Sequence, residues 1–121
     1  MMNIINRNDV KAFTTKDASE IREILAPRNS VIKRQSLAEA RVAPGHSTEE
    51  HYHIQTEEIY YILQGKGLMV IDGENRDVKA LDGIAIPLGA SHKITNTGDD
   101  DLVFLCCCTP AYENDDTVIT E

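Results

Sequence analysis

Two histidines with one residue between them, His51-Tyr52-His53, are the first chemically pointed feature of this 121-residue chain. In an extended strand, side chains two apart project to one face, so both imidazoles can reach a single point while Tyr52 turns away. A His-x-His pair on a strand is a compact clamp for a metal ion. Glu57 and Glu58 follow a few residues later, and either carboxylate can complete a three-ligand set once the chain has looped over. A fourth ligand, His92, lies well downstream and needs a fold that brings residues 84–96 back beside the first hairpin. Each piece alone is ordinary. A single histidine is commonly a core or surface residue, and a run of glutamates is commonly a solvated face. The argument rests on their conjunction.

The elements that position these residues read as strands. Ser36–Val42 alternates, with Leu37, Glu39 and Arg41 on one face and Ala38, Ala40 and Val42 on the other. Glu58–Leu63 is rich in β-formers. Leu68–Ile71 and Asp77–Leu81 flank the turn signal Asp72-Gly73. Ile84–Ile86, His92–Thr95 and Leu102–Cys108 complete the series. Seven or eight short strands, punctuated by glycine, proline and asparagine at regular spacing, predict an all-β sandwich or barrel. At most one short N-terminal helix is expected. Thr15–Leu25 fits either a helix, with Asp17 and Glu20 as a capping box, or a strand. Residues 1–35 read as an arm with a possible edge strand or helix, 36–110 as the barrel, and 111–121 as an acidic, solvated tail.

At this point the spacing resembles a known family. Gly45-x5-His51-x-His53-x4-Glu58-x6-Gly65 is similar to the first motif of the cupin superfamily, and Pro87-x-Gly89-x2-His92-x3-Asn96 to its second. One position departs. The glycine that opens the second motif is replaced by Leu81, and the nearest glycine, Gly83, comes two positions late. The resemblance implies a small antiparallel β-barrel, the double-stranded β-helix or jelly roll of a single-domain cupin. It also implies one divalent metal ion per chain held by His51, His53, Glu58 and His92, with Glu58 preferred to Glu57. Gly45, Gly65, Pro87, Gly89 and Asn96 would then be structural turn and strand-end residues. Three imidazoles and a carboxylate suit Fe, Mn, Ni, Co, Cu or Zn and leave coordination positions open.

Beyond the ligands, Tyr60, Arg41, Gln55 and Glu57 are candidates for lining a pocket. Strand parity from Glu58 turns Tyr60 and Ile62 inward and Tyr61 outward. His46 matches no motif position and reads as an exposed loop residue. Cys106, Cys107 and Cys108 continue an apolar strand. Neighbours on a strand face opposite ways, so the expectation is packing rather than a disulfide or a shared metal.

Composition narrows the function. With 20 acidic and 12 basic residues the net charge is −8, and no basic stripe suits nucleic acid. No apolar run approaches the ~18 residues of a membrane span, and no secretory leader is read at the start. A cytoplasmic protein is expected, and the resemblance implies a homodimer paired through its sheets. The resemblance implies the activity of a metal-dependent enzyme on a small organic molecule, of dioxygenase or isomerase/lyase type. The alternative is a non-catalytic small-molecule binder or sensor.

Overall fold

The computed structural model describes residues 2–121. Eleven strands form two antiparallel sheets that face each other. The larger runs β1 (Phe13–Thr14), β2 (Glu20–Leu25), β3 (Ser36–Val42), β10 (Leu102–Thr109), β5 (Glu57–Gln64) and β8 (Gly83–Ile86) in spatial order. The smaller runs β11 (Thr117–Ile119), β4 (His51–His53), β9 (His92–Asn96), β6 (Lys66–Ile71) and β7 (Glu74–Lys79).

Alternation decides which residues meet between the sheets. In β5, Glu58, Tyr60 and Ile62 are buried, while Glu57, Ile59, Tyr61 and Leu63 are exposed. In β3, the small side chains of Ser36, Ala38 and Ala40 turn inward and leave room. Bulkier side chains fill the rest of the barrel: Ile62, Met69, Ile86, Ile94, Leu102 and Phe104 are all buried. Burying each such side chain stabilises the fold by roughly 1.5–3 kcal/mol.

Several elements differ from the sequence reading. Thr15–Leu25 is no helix: β2 is a strand that pairs with β3 from Glu20↔Arg41 onward. The helical content among the described residues is two short 3₁₀ turns, Arg7–Asp9 and Asn114–Asp116. Residues expected as an arm and a tail both contribute strands. β1 pairs with β2 of the same chain. β11 pairs with β4 in the register Thr117↔His53 and Ile119↔His51. The acidic stretch before β11 is engaged rather than solvated: both oxygens of Asp116 accept backbone N–H groups, from Gln55 and Thr56. Short apolar content hid β11 from periodicity, because a three-residue strand carries too few alternations to register.

Two turns carry special backbone geometry. Asp72 and Gly73 both have positive φ (47° and 84°), as a tight β6–β7 hairpin requires. At the position where a glycine was expected, Leu81 itself adopts φ 77°. Its N–H donates to the Ile62 carbonyl at 2.8 Å, and the Ile62 N–H donates to the Asp82 carbonyl at 3.0 Å. This pair of hydrogen bonds to β5 holds a left-handed conformation that leucine otherwise avoids. Gly83 does not take over the role: it begins β8 and has no positive φ.

Candidate metal centre

β4, β5 and β9 converge at one place between the sheets. His51 and His53 come from β4, Glu58 from the start of β5 and His92 from the start of β9, where it pairs in register with His51. One ligand atom from each of these four buried residues lies within 4.8 Å of all the others. The imidazole centroids are 4.2 Å apart for His51 and His92, and 5.2 Å for His51 and His53.

Each ring is held from behind. Nδ1 of His51 donates to the Glu49 carbonyl at 2.7 Å, and Nδ1 of His92 to the Ala90 carbonyl at 2.9 Å. Nδ1 of His53 meets Thr117 Oγ1 at 3.3 Å. With Nδ1 engaged, Nε2 of every ring faces the cluster, the arrangement that orients imidazole for a metal. The C-terminal strand therefore supplies an outer partner to a candidate ligand, a role that the sequence reading missed.

The centre is electrostatically tuned by its own members. Burial alone raises the Glu58 carboxyl, but the His53 and His92 imidazoles outweigh it and hold Glu58 well below the usual carboxylate range. Oε1 of Glu58 stands 2.8 Å from His53 Nε2 and 3.2 Å from His92 Nε2. Burial lowers His92, yet Glu58 more than compensates and raises it. Burial, together with the charge of His92, lowers His51.

The residues fit a metal ion. Glu58 Oε1 and His92 Nε2 are buried without a properly aligned hydrogen bond, an expensive state for polar atoms unless another partner completes them. Three nitrogens and a carboxylate oxygen form a donor set suited to transition-metal and zinc ions.

Beside the cluster lies a small, partly open cavity of about 40 Å³. Tyr60 lines it, as parity predicted, and packs against Phe104 with ring centroids 4.6 Å apart. The other three pocket candidates do not. Arg41 lies on the outer face of β3 and donates to Asp101 at 2.8 Å, because its parity is opposite to that of Ala38 and Ala40. Gln55 and Glu57 are exposed. Instead the wall includes Thr15, Asp17, Ser19, Glu23, Ser36 and Tyr112, together with the thiols of Cys106 and Cys108. The three cysteines are unpaired, as expected, but Cys106 and Cys108 share the inner face. The Thr15-x-Asp17-x-Ser19 spacing was the available signal for the first group. It marks a side-chain-stabilised turn as well as a helix cap.

His46 is exposed. Asn96 is buried, and its Nδ2 donates to the carbonyls of Val42 and Asp100. A side chain at Gly65 (φ 89°) would place its Cβ 3.0 Å from the Asp101 carbonyl oxygen.

The family model for the cupin domain matches residues 38–108. The chain belongs to the cupin family. This cupin is 49% identical over 112 residues to an uncharacterized protein of Methanocaldococcus jannaschii, covering 93% of this chain and 90% of that one. It is 37% identical over 90 residues to an oxalate-binding protein of Thermotoga maritima, covering 74% of each. Among solved structures, the polyketide cyclase RemF of Streptomyces resistomycificus superposes with a TM-score of 0.81 at 26% identity, covering 100% of this chain and 87% of that one. No helix among the described residues is long and apolar enough to cross a membrane.

Proposed function

We propose that this cupin binds one divalent metal ion through His51, His53, Glu58 and His92, and uses it to act on a small organic molecule in the adjoining cavity. The observation that carries this reading is the pair of buried, unaligned atoms Glu58 Oε1 and His92 Nε2 within a four-residue donor cluster. A divalent ion held there supplies Lewis acidity at its open coordination positions.

The chain's own residues fit the remaining tasks. Tyr60 and Tyr112 have hydroxyls whose acidity burial suppresses, so both stay protonated as hydrogen-bond donors. Asp17 offers an acceptor 3.4 Å from His51 Nε2. Phe104, Ala38 and Ala40 make an apolar floor that excludes water. Protonated tyrosines and a carboxylate lining the same cavity favour proton-moving chemistry of isomerase or lyase type; dioxygenase chemistry would require in addition a redox-active ion. The relatives named as a polyketide cyclase and an oxalate-binding protein suggest two kinds of ligand, hydroxylated ring systems and small dicarboxylates.

A second reading, a non-catalytic binder, is favoured by the oxalate-binding relative. Protein purified without added metal is expected to carry about one divalent ion per chain by elemental analysis. The double variant His51→Ala with His53→Ala is expected to lose it, and unchanged metal content would sink the ligand assignment. A metal-loaded protein that turns over nothing in a broad screen yet binds a metabolite tightly would favour the binder.

We also propose a homodimer formed through the outer face of the larger sheet. Ile59, Tyr61 and Leu63 are exposed on β5, opposite β10 in the registers Cys107↔Ile59 and Leu105↔Tyr61. A strand apolar on both faces suits a layer covered on both sides, and the same patch on a second copy makes a two-fold, self-complementary contact.

A further inference from the structure

We propose that the cavity selects an uncharged, hydroxyl-bearing ligand and rejects dicarboxylates, and that Asp17 is the residue that makes this choice. The inference deepens the reading above and rests on the metal site assigned there.

Asp17 occupies the turn between β1 and β2, next to Ala18, which has φ 75°. The turn is tied to the lead-in of β4, where the Glu49 N–H donates to the Asp17 carbonyl at 2.7 Å. The two carboxylate oxygens have different surroundings. Oδ1 accepts three hydrogen bonds: from Thr15 Oγ1 at 2.6 Å, Ser19 Oγ at 2.6 Å and Ser19 N–H at 3.0 Å. Oδ2 takes part in none of these and lies 3.4 Å from His51 Nε2, the nitrogen that faces the donor cluster. Asp17 is thus anchored through one oxygen and aims the other at the position beside the cluster.

A carboxylate is an acceptor only. A ligand coordinated next to Oδ2 must therefore bring a proton to it, as an alcohol, phenol or enol does. A dicarboxylate brings lone pairs and like charge to the same spot, a juxtaposition that discriminates strongly against a partner.

The rest of the wall does not reverse this balance. Glu23 also lines the cavity, and no lysine or arginine does among the described residues. Arg28 pairs with Glu23 and lies over the Phe13 ring, 5.5 Å from its centroid, and Lys16 turns its Nζ to the Thr117 carbonyl at 3.0 Å. Asp17, Glu23 and Glu58 together carry three negative charges. Arg28 is committed to Glu23 and Lys16 to the Thr117 carbonyl, so neither cation is free to meet a dianion at the metal. The named binding of the Thermotoga maritima relative is to oxalate, and by this reasoning the same ligand is disfavoured here.

The test is isothermal titration calorimetry of the full chain loaded with Zn²⁺, with metal content measured on each sample and catechol and oxalate as the two probes. Wild type is expected to bind catechol at least tenfold more tightly than oxalate. Asp17→Asn, which keeps an oxygen for the turn and removes the charge, is expected to narrow that ratio at least tenfold, mainly through tighter oxalate binding. Oxalate binding in wild type as tight as catechol binding overturns the proposal, whether or not the variant folds. An unchanged ratio in folded Asp17→Asn also overturns it, because selectivity would then not depend on this charge. Wild type that takes up no Zn²⁺ overturns the metal assignment and this inference with it, whereas metal-loaded protein that prefers oxalate overturns this inference alone.

Discussion

The Cys108 thiol donates to Oε2 of Glu58 at 3.3 Å, across the β10–β5 pair in which these two residues are register partners. That contact holds one carboxylate oxygen against β10 and turns the other, Oε1, toward His53 and His92. Burial, with the nearby Glu58 charge, pushes the Cys108 thiol well up, so it stays protonated and keeps its hydrogen. A residue that sequence reasoning treats as small and hydrophobic thus orients a metal-ligand candidate.

Removing that donor is expected to weaken metal binding without abolishing it. Outer partners of metal ligands typically matter by roughly 10–100-fold in affinity. Cys108→Ala should lose affinity in that range in a competition titration with a chromogenic chelator. Cys108→Ser, which restores an O–H donor, should recover most of it. Equal affinities in wild type and Cys108→Ala would reduce the contact to packing.

The metal-free centre should show two histidines shifted in opposite directions. Burial acts to lower His92, but the adjacent Glu58 carboxylate prevails, so it titrates above its ordinary value of 6.5, while burial and the His92 charge send His51 below 6.5. His92 therefore stabilises the fold fully below pH 6.5 and loses that contribution as pH rises through its folded value. For His51 the sign reverses: the fold is favoured above 6.5 and disfavoured as pH falls through its depressed value. NMR titration of the imidazoles in metal-free protein checks both shifts, and Glu58→Gln should bring His92 down. Because a metal must displace the His92 proton, binding should release protons and tighten as pH rises through the His92 value. A His92 that titrates at or below 6.5 would refute the coupling.

Leu81 stores backbone strain that a single substitution can relieve. It sits at φ 77° with 72% of its surface exposed, so its side chain contributes little packing. The left-handed conformation costs a non-glycine residue roughly 1–2 kcal/mol, of which glycine's greater freedom in the unfolded chain takes back a part. Leu81→Gly is expected to stabilise the protein by about 0.5–1 kcal/mol in denaturant unfolding. A destabilised Leu81→Gly would mean that leucine packs usefully there after all.

The apolar outer face of β5 makes the oligomeric state a direct measurement. Light scattering at micromolar concentration is expected to give the mass of two chains. The double variant Ile59→Glu with Tyr61→Glu should give one, with its metal site intact because both residues point away from the cluster. A monomeric wild type would end the dimer proposal.

Much of this protein was legible in its residues. The alternation of β3 and β5 and the apolar run of β10 announced strands, and parity from Glu58 identified the inner face of β5, because a period of two is a local property of extended chain. His51 and His53, with Glu57 or Glu58 and His92, marked a candidate donor set, the motif resemblance favoured Glu58, and strand parity turned Tyr60 inward. These inferences need only the order of residues along one strand and the turns that join neighbouring strands.

Tertiary structure alone decided the second layer of the site. Asp17, Glu23, Tyr112, Thr117 and Cys108 reach the centre from the β1–β2 turn, β2, the C-terminal segment and β10, and no spacing along the chain links them to His51. Arg41 shows the converse. Its type suited a pocket, but its parity on β3 set it on the outer surface beside Asp101. The physical reason is the same in both cases. His51 and His53 are brought together by the period of two along one strand, whereas His92, Glu58 and the groups that orient them and face the cavity depend on which distant strands meet, a choice made by burial over the whole barrel.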